Sequence, residues 1–318
     1  MDHQVELQQR LDSGISGPIE QKERLTLTDA KDRFINQKVT ENIAPATLAK
    51  LRGQIGAFIT WMESRHRYFV SDISVSDITE FRATWNDDST LTKQVKQVNL
   101  RQFLRKSLNG ERLEELLNSM GSIKLSREDY DRLKPRPLSE DDITSLMAEI
   151  PKRLPEDKAK TLTLAVRVML STGIAVIDCA RLKKSEISDG WLKIRRQKTS
   201  RPVLQRLSEG LHKALMTYAG NHEYIFYRSN AEFQTMINIW SEQVRDCQKA
   251  LGIHVSGNLM HRFRDTFVDF HIGQGTPLTE IAAMIGDSVR TTEAHYADLL
   301  SQRAKGRIAA VPVREWGD

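Results

Sequence analysis

The sequence predicts a mainly α-helical protein with a small β-sheet, divided into a helical domain and a mixed α/β domain. Apolar residues recur at spacings of three and four along much of the chain, which is typical of amphipathic helices. Two β-like runs, WLKIRRQK and PVLQRL, flank the segment TSR and predict a hairpin. A polar segment with two prolines separates the halves, and 318 residues are enough for two compact domains.

The composition argues against several classes of protein. The chain is 39% hydrophobic and has no apolar run long enough to span a bilayer, so we expect no membrane segment. Its polar N-terminus lacks a signal core, and its two cysteines cannot build a disulfide framework or a zinc site alone. We therefore expect a reduced cytoplasmic protein. The net charge of +5 favours a polyanionic partner such as DNA or RNA.

Residues 1–24 are predicted to be a loose leader, and residues 25–120 a small helical domain. Helix starts are indicated by Thr28 with Asp29, by Pro45, and by Ser74 with Asp77. A fourth helix is predicted from an apolar stripe of Leu91, Val95, Val98 and Phe103. Its other face carries basic residues that are either a solvated surface or contacts to DNA phosphates: Lys93, Lys96, Arg101, Arg105 and Lys106.

Residues 121–137 are predicted to be a linker, and residues 138–300 a second domain that opens with a capping box at Ser139 and Asp142. This domain is expected to hold a buried helix that ends in a turn at Gly173, the hairpin, a third strand in EYIFY (223–227), and helices from residue 231. Residues 301–318 form a tail that either folds back or is exchanged between protomers through Ile308, Val311, Val313 and Trp316.

The residues that carry chemistry lie late in the chain. His261 and Arg264 are three residues apart, so they share one face of a helix, and Tyr296 follows near the end of the second domain. A histidine and a guanidinium on one face can together bind an oxyanion. Taken alone, the pair is more simply interpreted as a helix surface with a salt bridge to Asp265 or Asp269.

Four ordered segments together resemble the tyrosine recombinase (phage integrase) family. They are STGIAVIDCARLKKSEI (171–187), IRRQKT (194–199), HRFRDTF (261–267) and IGDSVRTTEAHY (285–296). They resemble the family's T-G-hydrophobic-R-x-x-E motif, its hairpin lysine, its H-x-x-R motif, and its L-G-H motif, in which the tyrosine follows nine residues after the histidine. Residues 287 and 296 keep that spacing. The helical domain is similar, less closely, to the family's core-binding domain.

The resemblance implies a reaction and a role for each matching residue. Tyr296 is the nucleophile that attacks a DNA phosphorus and leaves a 3′-phosphotyrosyl link and a free 5′-hydroxyl. Arg264 binds the phosphate, and His261 takes the tyrosine's proton or hydrogen-bonds the phosphate. Lys198 is the general acid for the leaving 5′-oxygen, with an ordinary solvated hairpin lysine as its alternative. The resemblance implies cleavage without a metal or another cofactor, and no ATP is needed because the bond energy stays in the phosphotyrosine.

Two positions depart from the family's pattern. Ala175 stands where the first arginine is expected, while Asp178 keeps the acidic residue that follows. Asp287 stands where the family has His or Trp, and it either pairs with Arg264 or Lys198 or accepts the tyrosine's proton. We expect Ala175 to impair cleavage, as an introduced truncation or as natural decay. We favour the former, because the other matching residues persist: Tyr296, Arg264, His261 and Lys198.

The resemblance also implies partners. We expect double-stranded DNA held between the two domains, and a homotetramer acting on two DNA sites with exchanged C-terminal segments. The main alternative is a catalytically inactive DNA-binding protein on the same fold. A type IB topoisomerase or a telomere resolvase shares the chemistry without the tetramer, and a helical structural protein with fortuitous motifs would bind no duplex.

Overall fold

The computed structural model describes residues 24–228, 232–255, 257 and 259–309. They form two compact units, divided between Asp129 and Tyr130, inside the predicted linker. The bounds given to the domains from the sequence remain predictions. The predicted leader up to residue 23 and the apolar side chains of the predicted tail lie outside the described residues.

The regular elements described in the N-terminal unit are helices: α1 (Leu27–Thr40), α2 (Pro45–Glu63), α3 (Val75–Ala83), α4 (Thr90–Ser107), α5 (Gly110–Ser119) and α6 (Arg127–Leu133) at its boundary. The predicted capping box of α3 is confirmed, because Ser74 and Asp77 each accept the other's backbone N–H. The cap of α1 is Thr26, which accepts the Asp29 N–H at 3.0 Å, so the assignment to Thr28 was wrong.

The apolar stripe assigned to α4 is wrong over its first half. Leu91, Val95 and Val98 are exposed, whereas Leu100 and Phe103 are buried. At about 100° per residue, the first three lie about 160–220° around the helix from Leu100, so they point away from the core that Leu100 reaches. The same rotation per residue spreads the five basic residues around α4, so they do not share one face of the helix.

The C-terminal unit combines helices with one small sheet. Its elements are α7 (Glu140–Arg153), α8 (Glu156–Thr172), α9 (Val176–Ala180), β1 (Ile187–Ser188), β2 (Trp191–Arg195), β3 (Pro202–Arg206), α10 (Glu209–Ala219), α11 (Phe233–Ala250), α12 (His261–Gly273), α13 (Leu278–Ile285) and α14 (Val289–Ala309). The capping box at Ser139 and Asp142 is confirmed. None of the helices in the described part of the chain has the length and apolarity needed to cross a membrane.

The predicted hairpin is confirmed, but the third strand is a different one. β2 pairs antiparallel with β3, from Trp191 opposite Arg206 to Arg195 opposite Pro202, and β1 pairs with the other edge of β2. The segment EYIFY is not a strand, since it makes only one isolated bridge, between Tyr224 and Lys183. The reason is visible in its burial: Ile225 and Phe226 are adjacent and both buried, so the alternation of a strand is missing.

Gly173 allows the end of α8 to meet α12 and α13 closely, as the sequence suggested for a turn there. It has a left-handed φ of 64°, and its N–H caps α8 by donating to the Met169 carbonyl at 2.9 Å. A Cβ at this position would overlap the ring of Phe267 and lie 3.0 Å from Ile285. The glycine therefore sets the spacing between the α8–α9 turn and both α13 and α12, the helix that carries His261 and Arg264.

We predict that Gly173→Ala destabilises the C-terminal unit by more than a matched glycine substitution does. A left-handed alanine alone costs about 1–2 kcal/mol, and here the overlap with Phe267 adds to it. Gly252→Ala is the control, because Gly252 has a φ of 69° but open space around its Cβ position. Urea unfolding followed by circular dichroism measures both. Equal losses from the two variants would contradict the close-approach role.

Candidate active site

A cleft of about 460 Å³ in the C-terminal unit brings together five of the six predicted catalytic residues. The turn between β2 and β3 forms one wall, and the start of α12 and the first turns of α14 form the others. The residues that line it include Lys198, His261, Arg264, Asp287 and Tyr296. These positions are up to 98 residues apart in the sequence, so only the fold makes one site of them.

Tyr296 is buried in the wall of the cleft and is held by a carboxylate. Its side chain is 2% exposed and packs among the apolar residues of α12, α13 and α14. Its hydroxyl donates a hydrogen bond to Asp265 Oδ1 at 3.2 Å. Burial, and then the negative charge of Asp265, raise the pKa of Tyr296 far above its usual range. The phenol is therefore protonated in this structure, with its proton directed at Asp265.

Two histidines flank the same carboxylate oxygen. Nε2 of His261 and Nε2 of His295 each lie 3.6 Å from Asp265 Oδ1, and the imidazole rings are 5.4 Å apart. Burial lowers the pKa of His261, and Asp265 opposes that shift without cancelling it. A neutral imidazole beside a carboxylate and a phenol can accept a proton passed along the group.

The same three residues have the donor atoms of a metal site. One ligand atom each from His261, Asp265 and His295 lies within 4.8 Å of the others, and two imidazoles with one carboxylate are a set that binds first-row transition metals. Asp265 is already bonded through both oxygens, because its Oδ2 accepts the Arg136 N–H at 3.2 Å. The bonds to Tyr296 and Arg136 favour proton handling for this group, which is how we interpret it.

Arg264 is almost fully buried and aimed by two acceptors. It is 2% exposed, and its Nη1 donates to the Gly173 carbonyl at 2.8 Å. Its Nη2 donates to Asp287 Oδ2 at 2.5 Å. The backbone at Gly173 thus orients the guanidinium, and the carboxylate of Asp287 neutralises it.

Asp287 bridges two guanidiniums. Besides Arg264, it accepts a short hydrogen bond on Oδ1 from Nη1 of Arg196, which also donates to the Gly286 carbonyl at 3.2 Å. Burial alone would raise the pKa of Asp287, but the charges of Arg264 and Arg196 outweigh it and the pKa is lowered. Asp287 is therefore ionised and paired, while the hydrogen bond of Tyr296 goes to Asp265 instead.

Arg196 enters the site from the hairpin and is buried on the way. It is 8% exposed, and its Nε lies 3.7 Å from Asp178 Oδ2. Asp178 in turn accepts the Gln197 N–H at 2.8 Å, which fixes the start of the hairpin turn. Gly286, with a left-handed φ of 66°, leaves room for the arginine, since a Cβ there would lie 2.6 Å from Arg196 Cδ.

Lys198 and Ala175 occupy contrasting positions. Lys198 is exposed on the hairpin turn and lines the rim of the cleft. Ala175 is half-buried, caps the start of α9 and lies outside the residues that line the cleft, three residues before Asp178. Residues 173–178 thus run beside both guanidiniums, through the Gly173 carbonyl and the Asp178 carboxylate.

Sequence reasoning missed Asp265, His295 and Arg196 as members of the site. A signal for Arg196 was present in the alternation of β2. Leu192 and Ile194 point to one side of the strand and are buried. Arg196, two residues after Ile194 and just past the end of β2, continues this alternation and faces the same side. For Asp265 the signal was its place four residues after His261 on one helix face. Nothing in the sequence indicated His295, since a histidine that directly precedes a tyrosine points to no particular partner.

The comparisons with known proteins concern the family and the fold of the chain. A sequence model of the phage integrase family matches residues 136–303. Lambda integrase, in a tetramer bound to a Holliday junction, superposes with a TM-score of 0.67 at 16% identity, over 89% of this chain and 85% of that one. The lambda integrase fragment 75–356 bound to DNA superposes with a TM-score of 0.66 at 15% identity, over 91% of this chain and 100% of that one.

A second recombinase has the same fold. XerH, bound to a palindromic difH substrate, superposes with a TM-score of 0.63 at 13% identity, over 92% of this chain and 99% of that one. No curated protein matches the chain. At these identities the superpositions establish the fold, which is the mainly helical one with a small sheet that the sequence predicted.

We predict that Asp287→Asn destabilises the C-terminal unit by about 1.5–3 kcal/mol at neutral pH, because it removes an ion from a pair of charged hydrogen bonds. Folding lowers the pKa of Asp287, so its stabilisation is present above the ordinary value of 3.8 and is lost as the pH falls through the lower folded value. The deficit of the variant should therefore stay constant near neutrality and narrow below pH 3.8.

Asp269→Asn is the control for this measurement. Asp269 pairs with Arg303 at 2.7 Å, but Arg303 is half exposed, so the loss should be under about 1 kcal/mol. Denaturant unfolding at a series of pH values gives both curves. An Asp287→Asn deficit no larger than that of Asp269→Asn would contradict the bridging role.

Proposed function

We propose that this chain, which belongs to the phage integrase family, is a site-specific recombinase that cuts and rejoins DNA through a 3′-phosphotyrosyl intermediate. The observation that carries the proposal is the cleft in which the buried Tyr296 hydroxyl, Arg264, His261 and Lys198 meet. A phenol beside cations, with a carboxylate to accept its proton, is the set of groups needed to break a phosphodiester by covalent catalysis.

The proposed cleavage step assigns each group one task. The oxygen of Tyr296 bonds to the scissile phosphorus as the bond to the 5′-oxygen breaks. The phenol's proton passes to Asp265, its hydrogen-bond acceptor, with His261 beside it. Arg264 neutralises charge on the nonbridging oxygens, and Lys198 on the rim protonates the leaving oxygen. Attack by another strand's 5′-hydroxyl reverses the step and completes strand transfer.

Assembly and DNA contacts follow from the same proposal. Lambda integrase is described as a tetramer on a Holliday junction, and we propose that this chain also assembles as a homotetramer on two DNA sites. Of the five basic residues of α4, Arg105 and Lys106 are exposed and suited to phosphate contacts. The other three are half-buried and bonded within the unit: Lys93 to Asn86, Lys96 to Asp88, and Arg101 to Gly121.

Tyr296→Phe should abolish covalent attachment to DNA and leave noncovalent binding intact, because only the nucleophilic oxygen is removed. The substrates are nicked duplexes tiled across the DNA that flanks the coding gene, since a nick lets the short cut strand leave and traps the adduct. Denaturing gels measure attachment, and band shifts measure binding. A further outcome is that the unchanged chain binds a duplex while neither it nor the Ala175→Arg variant becomes covalently attached to DNA. That result would favour the alternative of an inactive DNA-binding protein.

Nicking without strand exchange by the attached chain would instead favour a topoisomerase-like activity. Failure to bind any of the duplexes would contradict the proposal altogether.

Ala175→Arg should speed covalent attachment, because we propose that alanine at this position leaves the phosphate one charged donor short and impairs cleavage. Loss of one donor directed at transition-state charge typically costs about 10²–10³ in rate. We expect a gain of at least about tenfold, measured on the same nicked duplexes. Ala175→Gln, of similar length but uncharged, is the control, and an equal gain from it would contradict a role for the charge.

The double variant Arg105→Gln/Lys106→Gln should weaken DNA binding and flatten its dependence on salt. Each lost phosphate contact lowers the slope of log affinity against log salt concentration by about 0.9. Lys93→Gln/Lys96→Gln is the matched control on the same helix, and its smaller effect is expected because both ammonium groups are bonded within the unit. Equal slopes for the two double variants, from binding titrations, would show that exposure does not select the DNA contacts.

A further inference from the structure

The cleft holds a second buried guanidinium that the family resemblance does not assign. We propose that Arg196 binds the scissile phosphate together with Arg264 and so replaces the arginine that is missing at position 175. This inference rests on the recombinase function proposed above. Asp287 holds the two guanidiniums side by side until a DNA phosphate engages them. Arg196 is then a catalytic residue that reaches the phosphate from the hairpin rather than from the turn before α9.

The first support is the geometry of a shared anion. Arg264 and Arg196 each donate to a different oxygen of the one Asp287 carboxylate. A carboxylate and a phosphodiester both present two oxygens with which guanidiniums form paired hydrogen bonds. Two guanidiniums that already converge on a two-oxygen anion are therefore arranged to bind the two nonbridging oxygens of a phosphate.

The second support is burial with an unused donor. Arg196 is 92% buried, since its exposed fraction is 8%, yet it lines the cleft. Its Nε is buried and has no hydrogen-bond partner among the described residues, with Asp178 no closer than 3.7 Å. A buried guanidinium N–H without a partner costs free energy, and a bound oxyanion would satisfy it.

The third support is where the guanidinium lies relative to residue 175. The Nε of Arg196 lies 3.7 Å from Asp178, which is on the first turn of α9, the helix that Ala175 caps. On the other side, the Gly173 carbonyl accepts from Arg264. The charge of Arg196 therefore lies beside residues 173–178, the segment from which the family's arginine would project. A residue that replaces this arginine has to lie there.

A purely structural role for Arg196 makes a different prediction. In that case the arginine only fastens the hairpin to Gly286 and Asp287, and its loss would be felt equally whatever residue stands at 175. If Arg196 replaces the missing charge, the two positions depend on each other. A double-mutant cycle separates the two roles, because independent sites add and coupled sites do not.

The experiment compares four chains on the nicked duplexes from the flanking DNA: unchanged, Arg196→Gln, Ala175→Arg, and both together. We expect Arg196→Gln alone to slow covalent attachment by about 10²–10³. We expect the gain from Ala175→Arg to be at least about tenfold larger with Arg196→Gln than without it. Arg206→Gln is the control at the other end of the hairpin, opposite Trp191, and should attach at the unchanged rate.

Each outcome of this comparison either supports or overturns the proposed role of Arg196. Equal gains from Ala175→Arg in the two backgrounds, or attachment unaffected by Arg196→Gln, overturn the role of Arg196 while leaving the recombinase function standing. Loss of the folded state in Arg196→Gln is read from its circular dichroism. Arg196→Lys then replaces it in the cycle, because lysine keeps the charge but not the paired hydrogen bonds. No attachment by either the unchanged chain or Ala175→Arg overturns the proposed function itself, and this inference with it.

Discussion

The cleft in the C-terminal unit depends on one carboxylate that neutralises two buried arginines. Without Asp287, the guanidiniums of Arg264 and Arg196 would lie near each other with like charge and little water, which is an unfavourable state for a folded protein. Asp287 therefore lets the chain keep two positive charges together in the wall of the cleft. In the proposed reaction, a phosphate would compete with this internal anion for donors that are already ordered.

A second carboxylate, Asp265, orients Tyr296. It accepts the hydrogen bond of Tyr296 and keeps two imidazoles next to the phenol, while the Arg136 N–H bonds its other oxygen. Burial of Tyr296 makes the phenolate costly in this state. The phenol consequently keeps its proton, which it donates in a hydrogen bond to Asp265. The two carboxylates thus have different partners: Asp287 pairs with the arginines, and Asp265 accepts the hydrogen bond of Tyr296.

The N-terminal unit follows a simpler constraint. A helix has one face for the core, and in α4 that face is set by Leu100, Phe103 and Leu104. The remaining apolar residues, Leu91, Val95 and Val98, are left in solvent, and the basic side chains are divided among several directions. Pairing within the unit removes some of them from the set that can meet a polyanion. Counting lysines and arginines along a helix therefore overstates the charge available to DNA.

Much of this protein follows from its sequence. Local signals determined the capping boxes at Ser74 and Ser139, the turn at Gly173 and the hairpin, because each depends on residues only a few positions apart. Ordered motifs indicated five of the residues that line the cleft. The pairing of Asp287 with Arg196, the contact of Tyr296 with Asp265 and the position of His295 were decided only by tertiary structure. Partners 91 and 31 residues apart meet through the packing of helices and the burial of charge, and no local pattern encodes such a meeting.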